Sequence, residues 1–176
     1  MRKTIEKLLS SDVTGYKIEM NTGVRQSNIS EIRNGKRQLD NLSLKNAEKL
    51  YEYQVGLDFL SSVKFEEVNL DDVENYGEEL YRGFYEVMRN SADNGYAVSF
   101  VSITEVVVNG ATVYELMDSW TDELDIEKNL AELEADIIAN EMQQENYYFN
   151  NYRDAEKYAE YKFNPKTLEL LISEYK

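Results

Sequence analysis

The sequence predicts an α+β protein: an all-α amino-terminal module followed by a small acidic α+β domain with one β-hairpin and several helices. Three observations predict it. Apolar residues recur at helical spacing through the first 54 positions. A β-branched run, Tyr96 to Val108, is joined by Asn109-Gly110 to a second run, Ala111 to Met117, which is a hairpin signal because both turn residues accept positive φ. Charge also changes sign along the chain: residues 1–54 carry 10 basic and 7 acidic side chains, residues 55–176 carry 9 and 27, so a segment of +3 precedes one of −18. Tyrosine is skewed in the same direction, with 3 of 14 in the first part.

The elements follow in order. Ile5, Leu8 and Leu9 predict a first helix, and Ile18 and Met20 a second from about Gly15. Thr22-Gly23-Val24 predicts a tight turn, the glycine supplying positive φ and the valine plugging the core. A third helix is expected from Gln26 to Arg33, ended by Asn34-Gly35, with Ile29 and Ile32 inward. Ser43 caps a fourth, with Leu44, Ala47, Leu50 and Tyr51 closing the core. Asn69 is expected to cap a helix from about Leu70 to Arg89, with Val73, Leu80, Phe84 and Val87 on one side. Asp93-Asn94-Gly95 then turns into the hairpin. A long helix is expected over Thr121 to Asn146, a Tyr-rich helical piece over Tyr147 to Phe163, and a last helix started by Asn164-Pro165 and ending near Tyr175. The domains are therefore 1–60 and 69–176. No linker-like tract or internal repeat separates them, so the junction, roughly Gln54 to Asn69, is expected to be helical or tightly packed.

The 176 residues include one proline and no cysteine or histidine. The usual zinc sites, a thiol nucleophile, a Ser-His triad and a disulfide framework are thereby excluded. MRKTIEKLLSSDV has no apolar stretch suited to a signal peptide, and no run approaches the roughly 20 residues of a membrane span. The expectation is a soluble cytoplasmic protein with no membrane partner, no cofactor and no metal.

YKIEMNTGVRQSNISEIRNGKR, followed by LDNLSLKNAEKL, resembles the Cro and phage-repressor helix-turn-helix family over residues 3 to 53. The family usually caps its recognition helix with Ser or Thr, where this chain has Arg25. The resemblance implies binding to double-stranded DNA. Recognition-helix residues at the base edges would be Gln26, suited to an adenine, and Ser27, with Asn28 and Ser30 on the same helix. Glu31 has no cationic neighbour in the motif and is suited to a cytosine amino group. Arg25, Asn34, Lys36, Arg37 and the amide end near Tyr16 and Lys17 suit phosphates. One such helix reads a half-site, so a homodimer on an inverted-repeat operator, with half-sites about 34 Å apart, is expected. Tyr53, Val55, Leu57, Phe59, Leu60 and Val63 form either its dimer surface or packing between modules.

In the acidic part, Ile126, Leu130, Leu133 and Ile137 step by helical intervals. On a helix of about 100° per residue, Glu123, Glu127, Glu134, Glu141 and Glu145 lie to one side of that stripe, and Asp125, Glu132 and Asp136 to the other. Lys128 is almost the only positive charge between Glu115 and Arg153. A net −18 also exceeds the roughly 2 to 8 units that solubility asks of a small domain. Three readings stand. The acids are a solvated face of an effector or dimerisation domain; or they imitate nucleic acid, carboxylates standing for phosphates and tyrosines offering rings to arginines; or they hold Mg²⁺ for catalysis, Glu160-Tyr161-Lys162 having a nuclease-like E-x-K spacing without a Pro-Asp element. The expectation is a non-enzyme.

The MRKTIEKLL start and the phrases GKRQLDNLSL and AEKLYEYQ resemble type II-A anti-CRISPR proteins with an N-terminal helix-turn-helix. That resemblance is specific over residues 1 to 54 and architectural beyond them. It implies autorepression by the first domain. For the second it implies binding to the guide-RNA-loaded CRISPR nuclease, a basic nucleic-acid-binding protein, through Glu123, Asp125, Glu127, Glu132, Glu134, Asp136, Glu141, Tyr147, Tyr148 and Tyr152, or through the cluster Asp71, Asp72, Glu74, Glu78 and Glu79. A plain phage-type repressor or antitoxin is the alternative.

Overall fold

The computed structural model describes residues 1–89 and 95–176, without the side chain of Glu123. The chain divides into two compact units, Met1–Ser62 and Val63–Lys176. The expected turn at Asp93-Asn94 lies outside the described residues.

The first unit holds four helices: α1 (Arg2–Ser10), α2 (Gly15–Thr22), α3 (Gln26–Arg33) and α4 (Leu44–Ser62), with a 3-10 turn at Leu39–Asn41. Ile5, Leu8, Ile18, Val24, Ile29 and Leu50 form its buried core. Each such side chain contributes about 1.5–3 kcal/mol on burial. Thr14 caps α2, its hydroxyl accepting from the Lys17 amide at 3.1 Å. Gly23, at φ +68°, ends that helix in the left-handed region where a side chain is strained. Val24 is buried beneath the turn. Ser43 accepts from the Asn46 amide at 3.3 Å and starts α4. Leu44, expected in the core, is 68% exposed, because it occupies the first turn of α4 on the side away from Leu50. α4 carries the junction as helix as far as Ser62.

The second unit corrects the single hairpin expected for it. It is built on one four-stranded antiparallel sheet in the order β1-β2-β3-β4, with β1 at Val73–Arg89, β2 at Tyr96–Val108, β3 at Ala111–Leu124 and β4 at Met142–Phe149. Helix α5 (Leu130–Ala139) connects β3 to β4, and α6 (Tyr152–Phe163) and α7 (Leu168–Tyr175) follow. The hairpin is present and longer than its signal: Val108 pairs with Ala111 across Asn109 (φ 50°) and Gly110 (φ 75°), and the pairing runs on to Tyr96 and Leu124.

Three expected helices are replaced. The 70–89 segment is a strand preceded by a 3-10 turn at Leu70–Asp72, which Asn69 caps by accepting from the Asp71 amide. The 121–146 segment is split into the end of β3, the ten residues of α5 and the start of β4. Asn129 starts α5 by accepting from the Glu132 amide at 3.0 Å, and Asn140 closes it. Tyr147 to Phe149 belong to β4, so the Tyr-rich helix begins only at Tyr152. Asn164 sits in the left-handed region as the C-cap of α6, and Thr167 is the N-cap of α7.

Val98 to Ile103 are buried without a break, so β2 is covered on both faces. On one face Phe84, Val98, Phe100 and Leu124 pack with Leu133 and Ile137 of α5 and Leu168, Leu171 and Ile172 of α7. On the other lies α6. Its rings meet the sheet at Tyr114–Tyr152 (5.9 Å), Phe149–Tyr158 (5.5 Å) and Tyr85–Phe163 (4.9 Å). β1 and β4 are the edges, and the first half of β1 is exposed from Glu74 to Leu80.

Candidate nucleic-acid interface and acidic surface

Helix α3 begins at Arg25, whose side chain makes no capping bond. The cap comes instead from the preceding helix: the Glu19 carboxylate of α2 accepts from the Gln26 amide at 3.1 Å. A negative group at a helix N-terminus satisfies an orphan amide and opposes the macrodipole. Nothing in the local sequence signals it, because the partner lies seven residues upstream. Arg33, at the other end of α3, donates to the carbonyls of Leu9 (2.8 Å), Val13 (2.7 Å), Leu8 and Ser11 (both 3.3 Å). It therefore closes the C-terminus of α1 and ties α3 to it.

Tyr16, Lys17, Arg25, Gln26, Ser27, Ser30, Glu31, Asn34 and Lys36 are exposed, and Asn28 and Arg37 are half-buried. Gln26 crosses Gly15 closely; a β-carbon there would meet its Cγ at 3.0 Å. Asn34 donates to the Ser30 hydroxyl at 3.2 Å. Arg37 donates to Asn28 Oδ1 at 2.8 Å and to the Asn41 carbonyl at 3.0 Å, and its guanidinium lies 4.0 Å from Glu31. Two sequence expectations change. Glu31 does have a cationic neighbour, Arg37, brought in by the loop after α3. The Lys17 amide is occupied by Thr14.

The acids expected in two rows on one long helix are not arranged so, because only Glu132, Glu134 and Asp136 lie on α5. Asp125 and Glu127 are in the turn before it, where Asp125 accepts from the Glu127 amide at 3.1 Å. Glu123 is in β3, its side chain outside the described residues. Glu141 accepts from the Ser119 hydroxyl at 2.7 Å. Lysines also meet several acids: Lys128 is 2.6 Å from Asp136, Lys176 is 3.2 Å from Glu127, and Lys162 is 3.6 Å from Glu145. Asp71, Glu74, Glu78 and Glu79 are exposed at and before the first half of β1, and Glu79 accepts from Arg82 at 3.0 Å.

The three predicted tyrosines have separate structural roles. Tyr147 packs on Phe65 (5.2 Å) and Tyr158 (5.0 Å), and Lys162 sits over its ring at 4.4 Å. Burial and its bond to Glu145 push the Tyr147 phenol up to about 12. Burial pulls Lys162 down, but bonds with Tyr147 and Tyr158 prevail and hold it at about 12. Tyr148 is buried on the opposite face, donating to the buried Glu115 carboxylate at 2.7 Å. Burial raises its phenol; Asn146 opposes this and Glu115 adds to it, to about 12. Tyr152 starts α6 against Tyr114.

A buried acid that sequence reasoning missed is Asp118 of β3, 6% exposed. It accepts from the Tyr85 hydroxyl at 2.6 Å. Burial pushes its carboxyl above the usual aspartate range, opposed by the Tyr85 bond, and burial raises Tyr85 likewise.

No family model matches this chain, and no curated protein matches it. Among the described residues no helix is long and apolar enough to cross a membrane, and no three Asp or Glu side chains are grouped to hold a metal ion. Glu160, Tyr161 and Lys162 lie within α6.

Proposed function

We propose that the chain is a bifunctional anti-CRISPR regulator. Its first unit binds an inverted-repeat operator as a dimer and represses its own promoter. Its second binds the basic nucleic-acid channel of a guide-loaded CRISPR nuclease and obstructs target recognition or cleavage. The observation that carries the reading is the division of charge between the two compact units: residues 63–176 hold 9 basic and 26 acidic side chains, while the first 54 are net positive. Capping by Glu19 supports the DNA-binding half, since it leaves Arg25 exposed for phosphate and Gln26 and Ser27 exposed at the start of α3. The acids offered to a basic channel are the exposed Asp71, Glu74 and Glu78 of β1 and its approach, with Glu132 and Glu134 of α5, while Glu79 is already paired with Arg82.

A second reading is a plain repressor or antitoxin, and the lysine partners of Asp136, Glu127 and Glu145 favour it by lowering the charge free for mimicry. The two are separated with the full chain. Retardation of its own upstream DNA, falling steeply between 50 and 200 mM salt, is expected under both readings. Inhibition of a guide-loaded type II nuclease is expected only under the first. Repression with no inhibition of any such nuclease would leave the plain repressor standing.

A further inference from the structure

A cavity of about 490 Å³ opens on the α6 face of the sheet, toward the end where β2 begins. That volume lies in the range of about 300–1,000 Å³ usual for small-ligand pockets. Two β-bulges shape it. Phe84 pairs with Phe100 and Glu86 with Ser99, so Tyr85 is an extra residue in β1; Asp118 pairs with Glu145 and Ser119 with Gln143, so Gln144 is an extra residue in β4. Both extra residues line the cavity. Bulges re-aim side chains and recur beside functional sites, and here the two edge strands each turn one toward the same space.

The chemistry of the walls is specific. Asp118 is buried, and Tyr85 bonds its Oδ1 at 2.6 Å; a carboxylate has a second acceptor oxygen. Trp120 supplies an aromatic wall, Met88 and Ala97 apolar surface, Ser99 and Gln144 further acceptors, and exposed Glu86 adds negative charge. A buried carboxylate beside an indole suits a flat, weakly hydrated cation that stacks and bonds at once, which describes guanidinium better than ammonium. Asp118 and Glu86 disfavour anions, and Lys162 of α6, whose charge reaches Asp118, offsets only part of that.

We propose that this cavity receives an arginine side chain of a basic protein partner, its guanidinium bonded to Asp118 and stacked on Trp120. The inference deepens the reading of the second unit as a ligand of a basic nucleic-acid-handling protein and rests on it for the partner's identity.

Trp120 is the only tryptophan in the chain, so its fluorescence reports the cavity directly. The full chain is titrated with N-acetyl-arginine amide, with the lysine and citrulline analogues at matched ionic strength. A saturable change is expected with the arginine probe, at least tenfold weaker with the lysine analogue and absent with citrulline. Asp118→Asn should weaken the arginine response at least tenfold. Amide and indole shifts in the unaltered chain, concentrated at Ser99, Asp118 and Trp120, give the same reading without a variant. No saturable response, an equal response to citrulline, or shifts centred elsewhere would overturn the proposal. Saturable binding in a protein that inhibits no guide-loaded nuclease leaves the cavity assignment intact and removes only the nuclease as the partner.

Discussion

Glu19→Ala tests the claim that α2 caps α3. Four amides at the start of any helix lack intrahelical partners. Here the Gln26 amide has the Glu19 carboxylate at 3.1 Å, while the ladder starts with Ile29 donating to the Arg25 carbonyl at 3.3 Å. Loss of a capping bond costs about 1 kcal/mol, and loss of a charge opposed to the macrodipole about 0.3–1 kcal/mol. Their sum is about 1.5 kcal/mol. At about 4–8 °C per kcal/mol for a unit of this size, the melting temperature of the first unit falls by about 6–12 °C. Glu19→Gln keeps an acceptor and loses only the charge, about 0.5 kcal/mol, so its fall is smaller, about 2–4 °C. Arg25→Ser supplies a conventional cap. It should restore stability in the Glu19→Ala background and add little in the unaltered chain. Calorimetry of the full chain gives the transitions, and hydrogen exchange at the α3 amides assigns them. An unchanged melt with unchanged α3 exchange in Glu19→Ala, or equal stabilisation by Arg25→Ser in both backgrounds, would refute the capping argument.

Arg33→Ala removes the donor that serves four carbonyls at and just after the end of α1, and should destabilise the first unit by about 1.5–3 kcal/mol in denaturant titration, with Arg33→Lys recovering only part. Gly83→Ala should destabilise the second unit by about 1–3 kcal/mol, since a β-carbon there would lie 2.5 Å from the Tyr81 hydroxyl and 2.6 Å from Pro165 Cβ. The raised phenols of Tyr147 and Tyr148, each at about 12, mean that the folded protein holds protons the unfolded chain releases near pH 10. Stability is therefore lost as pH rises from about 10 toward 12; tyrosinate absorbance should show late-ionising phenols that join the rest on addition of denaturant, and simultaneous ionisation of all of them in the native protein would contradict this.

The helical elements of the first unit were legible because apolar spacing and most turns are local: Gly23 and Ser43 each mark a boundary by their own chemistry, whereas the start of α3 depends on Glu19. β1 was not. Its register shifts after Val73, Tyr76, Glu79 and Phe84, and each shift breaks the two-residue alternation that identifies a strand. Val73, Leu80, Phe84 and Val87 then fall at helical intervals by accident of the bulges. The 121–146 segment misled differently. Ile126, Leu133 and Ile137 do share one core, yet a turn separates the first from the other two, and Asn129 with Glu132 was the overlooked cap. The corrected fold also dissolves the acidic rows, because a row needs one continuous helix. Glu19, Arg33 and the Asp118 cavity depend on contacts between distant elements and had no local signal.

The outer edge of β1 along its exposed first half carries a further consequence. A strand edge with unpaired amides and carbonyls is a template on which a second copy can add its own strand. Glu74 and Glu78 stand along that strand, and two such edges brought side by side would oppose like charges. These glutamates thus discourage fibre-like growth of the sheet before any partner is met. Replacing them to probe partner binding would also remove that guard, so a loss of activity in such variants is interpretable only once sedimentation shows that the sheet has not polymerised.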